Sequence, residues 1–358
     1  MAFYHYPLIA LSAGIGRGHP QYLDAVLYHL PDTPCLLASG PGWRLARWIY
    51  HLGATGGLIT TIYNRTRNRA PGPMEVNLLK FPLTRWFKNY PGIVLVDHPL
   101  LAHTLASICR VAYLHAEIGV PAGSAIPDAW CTFVPLNTTA RQLQHLGLKP
   151  ERIIVTGLVI ETQLLPVAAT AFNSRYQRLS TAQPLTIAFF ISGAYPTPHI
   201  RQTVIAIRSA LNAGHKVVIF PGTGEKKAQK IIAQLPPDII TITASSRREE
   251  TEKTAELFPQ LDIMVAAAHE RTNWAVGLGL PMFALLPHIG PFAPLNYEFA
   301  TRQGVCLPLT EPEKFGATLN RLRKEGKLNQ MASAGWEEYP ITGARIAADY
   351  IVKSVNGK

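Results

Sequence analysis

The residues best placed to do chemistry lie in Ser12-Ala-Gly-Ile-Gly-Arg-Gly-His19, directly after the apolar run Pro7–Leu11. Glycine has no Cβ, so a turn built on Gly14, Gly16 and Gly18 folds tightly and brings backbone N–H groups close to a ligand. His19 then stands where a helix begins, and in this turn only its imidazole exchanges a proton near neutral pH. Phosphate cradling and proton abstraction are the two chemistries this pairing offers.

Other candidates also follow strand-like runs. Asp97-His98-Pro99 closes Ile93–Val96, and His115-Ala-Glu117 closes Val111–Leu114. A carboxylate beside His19 would orient the imidazole and stabilise its protonated form, and either Glu117 or Asp97 can supply it. In the second half, Ser192 and Gly193 end one apolar run, and Gly222 follows another in Pro221-Gly-Thr-Gly224. Each of these turns can present backbone N–H groups to a phosphate. In Ala266-Ala-Ala-His-Glu-Arg-Thr-Asn273, Arg271, Thr272 and Asn273 stand at a helix start and can hold a diphosphate. No histidines have the HxxxH spacing of a helical metal site, so no metal is expected.

The elements that must position these residues read as alternating strands and helices. Leu8–Leu11, Pro34–Ala38, Ile93–Val96, Val111–Leu114, Ala129–Val134 and Ile153–Thr156 are strand-like, several of them continuous apolar runs suited to a parallel sheet covered on both faces. A second series follows at Leu185–Ile191, Lys216–Phe220, Ile239–Thr243, Ile263–Ala267 and Met282–Leu286. The pattern predicts an α/β chain of two doubly wound, Rossmann-like domains facing across a cleft. The expected divisions are a first domain over 1–164, a linker over 165–184, a second domain over 185–340 and a closing helix within 341–358.

The 358 residues are enough for two separate cores. Lys and Arg exceed Asp and Glu by 34 to 23, so the chain favours an anionic partner: a phosphate-bearing substrate or an anionic lipid surface. No nucleic-acid-reading motif is present, and nucleic acid is not an expected partner. The four cysteines (Cys35, Cys109, Cys131, Cys306) are scattered without a CxxC pair and read as reduced core residues. With no signal-peptide pattern and no membrane-spanning run, a cytoplasmic protein is expected, compatible with a peripheral position on the inner face of the cell membrane. Trp43–Tyr90 interleaves Arg with Trp, Phe and Tyr, either as an interfacial surface for lipid headgroups or as a polar excursion with solvated arginines.

Taken together, Gly14–His19, Trp130–Pro135, Gly147–Ile160 and Asp262–Pro281, with Asn296 ahead of Gly304, resemble GT-B glycosyltransferases. The group is that of monogalactosyldiacylglycerol synthase and the peptidoglycan N-acetylglucosaminyltransferases. The resemblance is strongest over residues 8–30, 130–160 and 260–305. It implies His19 as the acceptor-side base or oxyanion partner, Gly16 and Gly18 near the donor diphosphate, Glu117 near an acidic acceptor-domain position, and Asn296 in the donor-domain layout. It also shows departures. Trp274 stands where the group carries a ribose-binding Glu, Ala268 replaces the loop glycine, and Ser192-Gly193-Ala194 replaces Ser-Gly-Gly.

The resemblance implies transfer of a sugar from a nucleotide-sugar donor to a hydroxyl of a lipid-like acceptor, with no cofactor beyond the co-substrate. Two alternatives stay open: a nucleotide-sugar epimerase or hydrolase of the same fold, and a non-catalytic, glycosyltransferase-like partner subunit.

Overall fold

The computed structural model describes residues 5–222, 225–236 and 239–357. Thr223 and Gly224, which belong to the glycine turn Pro221–Gly224, lie outside the described residues.

The first domain runs β1 (Leu8–Ser12), α1 (Gly18–Leu27), β2 (Cys35–Leu37), α2 (Pro41–Gly53), α3 (Gly57–Arg67), α4 (Pro73–Phe87), β3 (Ile93–Val96), α5 (Pro99–Leu105), β4 (Arg110–Leu114), β5 (Cys131–Val134), α6 (Asn137–His145) and β6 (Ile153–Val155). Its strands form one parallel sheet in the order β2-β1-β3-β4-β5-β6. The apolar runs form central strands because both faces are covered: Ile9 and Leu11 face one core cluster while Leu8 and Ala10 face another.

The second domain runs α7 (Ala168–Leu179), β7 (Thr186–Phe190), α8 (Thr197–Asn212), β8 (Lys216–Phe220), α9 (Glu225–Ile232), β9 (Ile240–Thr241), α10 (Arg247–Leu257), β10 (Ile263–Ala266), α11 (Thr272–Leu278), β11 (Met282–Ala284), α12 (Phe292–Arg302), β12 (Cys306–Pro308), α13 (Phe315–Lys324) and α14 (Lys327–Ala334). Its strands are also parallel, in the order β12-β11-β10-β7-β8-β9. The last helix, α15 (Gly343–Val355), returns to the first domain. Ala344, Ala347, Ala348 and Ile351, spaced along one helical face, pack with Tyr22 and Val26 of α1.

Each sheet reverses strand order at one point, between β1 and β3 in the first and between β7 and β10 in the second. Open α/β sheets bind ligands outside the carboxyl ends of the strands at such a point. The turns after β1, β3, β7 and β10 therefore mark the place to look.

Two segments differ from the sequence reading. The stretch expected as a linker contains α7, which belongs to the packing of the second domain. Its fully buried Arg175 donates to the carbonyls of Leu261, Leu278 and Gly279 at 2.9, 2.9 and 3.0 Å. A helix whose inward face includes an arginine carries a weak apolar stripe, which is why its sequence reads as a connection. Between β2 and β3 the chain forms α2, α3 and α4, which leave a row of apolar side chains in solvent. Leu58, Met74 and Phe81 are each more than four-fifths exposed, and Trp48 and Ile62 are exposed beside them.

Candidate active site

The turn after β1 is held from below. Ser12 Oγ donates to Asp97 Oδ2 at 2.6 Å, the Ala13 N–H donates to Asp97 Oδ1 at 3.1 Å, and Arg47 reaches the Ala13 carbonyl at 2.9 Å. Gly14 and Gly16 adopt left-handed φ values of 61° and 72°, a backbone that a side chain would strain. Gly18 is needed for a different reason: a Cβ there would come 2.6 Å from the Glu270 carboxylate of the opposite domain. Asp97 thus fixes the turn, and its carboxyl is spent on Ser12 and Ala13, not on His19. Burial pushes it up to about 6, against hydrogen bonds from Ser12, Ala13 and its own backbone N–H and the charge of Arg247.

His19 stands at the second position of α1, and its surroundings are imidazoles and carbonyl groups. Its ring meets His98 edge-on at a centroid separation of 4.9 Å and Phe292 at 5.3 Å. The backbone carbonyl of Asp97 lies within hydrogen-bonding reach. Burial lowers His19 to about 3, helped by neighbouring His269 and His115 and opposed by that carbonyl. The ring is therefore neutral at pH 7 and keeps a free lone pair. His98 accepts from the Leu100 N–H through Nδ1 at 3.1 Å, which puts its own proton on Nε2.

Glu117 reaches the same cavity without bonding to His19. It accepts from Asn296 Nδ2 at 2.6 Å and from the Tyr22 hydroxyl at 3.4 Å. Burial raises it to about 8; the Asn296 bond opposes the rise and the nearby Glu270 charge adds to it. Glu117 is accordingly a protonated acid at neutral pH. The expectation that Glu117 or Asp97 steadies His19 is corrected here: both carboxyls have other partners, and a backbone carbonyl takes that place.

These groups line one interdomain cavity of about 370 Å³. The first domain contributes Gly16, Gly18, His19, His98 and Glu117; the second contributes Ser192, Gly193, His269, Glu270 and Arg271. The cavity does not stop at the polar groups. It continues between α2 and α4, where Leu45, Ile49, Leu78 and Leu79 line it, with Arg67 and Arg69 at its side. That apolar extension leads toward the exposed apolar faces of α2, α3 and α4.

On the donor side the predicted phosphate ligands divide. Ser192 and Gly193 face the cavity, and Ser192 is a hydrogen-bond partner of Tyr50, whose hydroxyl also lies against Gly16. Gly222 does not line the cavity and lies beside the Arg17 guanidinium. Of the residues expected at the head of α11, Arg271 and Asn273 join the domains. Arg271 pairs with Glu161 at 2.8 Å and stacks 3.9 Å over the Trp274 ring. Asn273 donates to the Ala116 and Val159 carbonyls at 3.3 and 3.2 Å, and Thr272 is fully buried. Asn296 bridges Gly119, Glu117 and Ala268. Only Arg271 of these four also borders the cavity, so the expectation of diphosphate contact is corrected for Thr272, Asn273 and Asn296.

Trp274 points inward as well. Its Nε1 donates to Glu161 Oε2 at 2.7 Å, and its ring packs between Phe190 and Phe258. The reading of the sequence passed over Arg17 and Tyr50. Arg17 is the one charged residue in the glycine turn, which is the signal that could have found it; Tyr50 carried none. Among the described residues, no group of three or more His, Cys, Asp or Glu is arranged to hold a metal ion.

No protein-family model matches the sequence and no curated protein matches it, so the visible relationships are those of shape. UDP-GlcNAc 2-epimerase from Neisseria meningitidis, solved with UDP-GlcNAc, is similar with a TM-score of 0.61 at 14% identity, over 98% of this chain and 99% of that one. MurG from Acinetobacter baumannii is similar at 0.57 and 15% identity, over 97% and 99%. The S. aureus MnaA–UDP structure is similar at 0.58 and 11% identity, over 98% and 96%. All three are matched along almost their whole length. The fold is GT-B. Within that GT-B frame the cavity lies between the two switch points, and the neighbours named here are enzymes, two of them solved with a uridine nucleotide. Among the described residues no helix is long and apolar enough to cross a membrane.

Proposed function

We propose that this protein is a glycosyltransferase that moves a sugar from a nucleotide-sugar donor to a hydroxyl of a lipid-like acceptor. The observation that carries the reading is the continuity of one cavity, from His19 and Glu270 into an apolar extension lined by Leu45, Ile49, Leu78 and Leu79. A water-soluble sugar nucleotide needs no such extension; an acceptor with an acyl or prenyl chain does. The exposed apolar side chains of α2–α4 and the arginines beside them suit an anionic membrane surface from which that acceptor would enter.

In this reading the acceptor oxygen attacks the anomeric carbon, the bond from that carbon to the phosphate oxygen breaks, and the hydroxyl proton passes to His19. Of the two groups, His19 is the one able to accept it, because Glu117 already holds a proton at neutral pH. An anionic diphosphate bound alongside would raise the basicity of His19. Backbone N–H groups of the turn after β7 would meet the charge developing on the leaving group.

A second reading, a nucleotide-sugar epimerase or hydrolase, is favoured by the carboxyl groups of Glu117 and Glu270 in one cavity, and the two uridine-nucleotide neighbours carry names or ligands in keeping with it. Product analysis separates the two. Incubation with UDP-sugars should give a glycolipid when vesicles of a bacterial lipid extract are present, and leave the donor intact in their absence. Release of free sugar, or an epimerised nucleotide sugar, in lipid-free buffer would overturn the transferase reading.

A further inference from the structure

Arg17 leaves the glycine turn of the first domain and crosses into the second. Its aliphatic stem covers Gly193, where a Cβ would stand 2.6 Å from Arg17 Cγ, and its guanidinium lies beside Gly222, where a Cβ would stand 2.8 Å from NH1. Gly193 and Gly222 follow β7 and β8, so the side chain occupies the slot where backbone N–H groups would meet a phosphate. At the far end it forms an ion pair with Glu250 in the first turn of α10.

Glu250 is only 2% exposed, yet the pair is half-satisfied. Among the described residues, neither Arg17 Nε nor Glu250 Oε1 has a hydrogen-bond partner, although both atoms are buried. Each empty donor or acceptor in the interior costs free energy, and at this pair, beside the two glycine turns, a bound phosphate would fill one. Nor is this pair needed to join α1 to α10. Asp24, on the same face of α1, already receives Arg247 through two bonds of 2.6 and 3.0 Å.

We infer that Arg17 is an exchangeable ligand, held on Glu250 while the slot is empty and transferred to the diphosphate of an incoming donor. The inference rests on the nucleotide-sugar reading for the identity of the donor, but the chemistry it names is that of any diphosphate. The guanidinium fork matches two phosphate oxygens as well as it matches a carboxylate. Glu250 then acts as a competitor that lowers the apparent affinity of the site by the fraction of time it holds Arg17.

The test is calorimetric titration of the full chain with inorganic pyrophosphate and, separately, with UDP. Arg17→Ala should weaken pyrophosphate binding by about tenfold or more, and Glu250→Gln should tighten it by about tenfold as the competitor is removed. In Arg17→Ala/Glu250→Gln the gain should vanish, which separates release of Arg17 from mere loss of a negative charge. Thermal denaturation checks that each variant is folded, and Arg17→Lys, which keeps the charge and loses the fork, replaces the alanine variant if that one is not.

Unchanged binding in folded Glu250→Gln, or a gain that persists without Arg17, would overturn the inference. If UDP binds the parent and Arg17→Ala equally, the inference falls and the nucleotide-sugar reading stands. If pyrophosphate follows the expected pattern and UDP binds no variant, the inference stands and the nucleotide reading falls.

Discussion

After β1 the chain turns through three glycines and leaves His19 against an open cavity. After β10 it turns through Ala267–Arg271 and leaves Arg271, Asn273 and Trp274 bound to groups of the opposite domain. Both are strand–turn–helix units at a switch point of a parallel sheet, so fold alone does not separate them. What separates them is where their side chains face: His19 opens onto the cavity, whereas Thr272, Asn273 and Trp274 are enclosed. The turn after β1 is braced from behind by Asp97 and Arg47; Arg17 crosses to Glu250, and His19 is left facing the cavity. At the head of α11, Arg271 and Asn273 are held by Glu161, Ala116 and Val159, and Thr272 is enclosed with its hydroxyl unpartnered among the described residues. A unit in the right place becomes a site only where the surrounding packing leaves its polar groups open to a ligand.

The comparison can be broken by substitution, and the largest effect is expected on the enclosed side. Trp274→Ala removes a buried indole together with its bond to Glu161, and should destabilise the chain by about 3–5 kcal/mol in chemical denaturation. A loss below about 1 kcal/mol would mean that α11 is not a strut. His19→Ala should behave in the opposite way, with turnover falling by about 10²–10⁴-fold and little change in thermal midpoint. A folded variant with full turnover would remove His19 from the chemistry.

A third prediction uses pH. Glu117 is raised by burial to about 8, above its ordinary value of 4.5, so the folded chain binds a proton there that the unfolded chain has released. Its contribution to stability is therefore complete below about pH 4.5 and is lost as pH rises through about 8. Glu117→Gln, which keeps the partner geometry without titrating, should flatten the fall in stability between those limits. An unaltered pH profile would show that Glu117 does not carry that proton. The smallest stability change belongs to the exposed face. Leu58→Ser and Phe81→Ser should alter folding stability by no more than about 0.5 kcal/mol, while binding to anionic vesicles drops in a flotation assay. Vesicle binding equal to that of the parent would detach this face from the lipid reading.

The contrast also explains what could be read from the amino-acid order. Ile93–Val96 and Ile263–Ala266 announce themselves because a strand covered on both faces is apolar without interruption, and the placing of His19 follows from a strand, three glycines and a helix start within a dozen residues. Those signals are local. Arg271 and Glu161 lie 110 residues apart, and nothing near either one says that they meet. The same holds for Arg17 and Glu250. Helices α2–α4 escaped the periodicity reading for another reason: their apolar residues are divided between a buried face and an exposed one, and Pro82 sits inside α4. Local chemistry marks the open wall, whereas the enclosed wall is defined by partners distant in the chain.

The claim that joins these observations is that the apolar extension between α2 and α4 receives the acceptor and delivers its hydroxyl to His19. A diacylglycerol bearing a photoactivatable diazirine near its hydroxyl, incorporated in vesicles, would report on it through mass-spectrometric mapping of the labelled peptides. Labelling should concentrate on the cavity-lining segments that contain Leu45, Ile49, Leu78 and Leu79, and extend to the segment around His98. Labels confined to the outer residues Leu58, Ile62 and Phe81, with none inside the cavity, would contradict it.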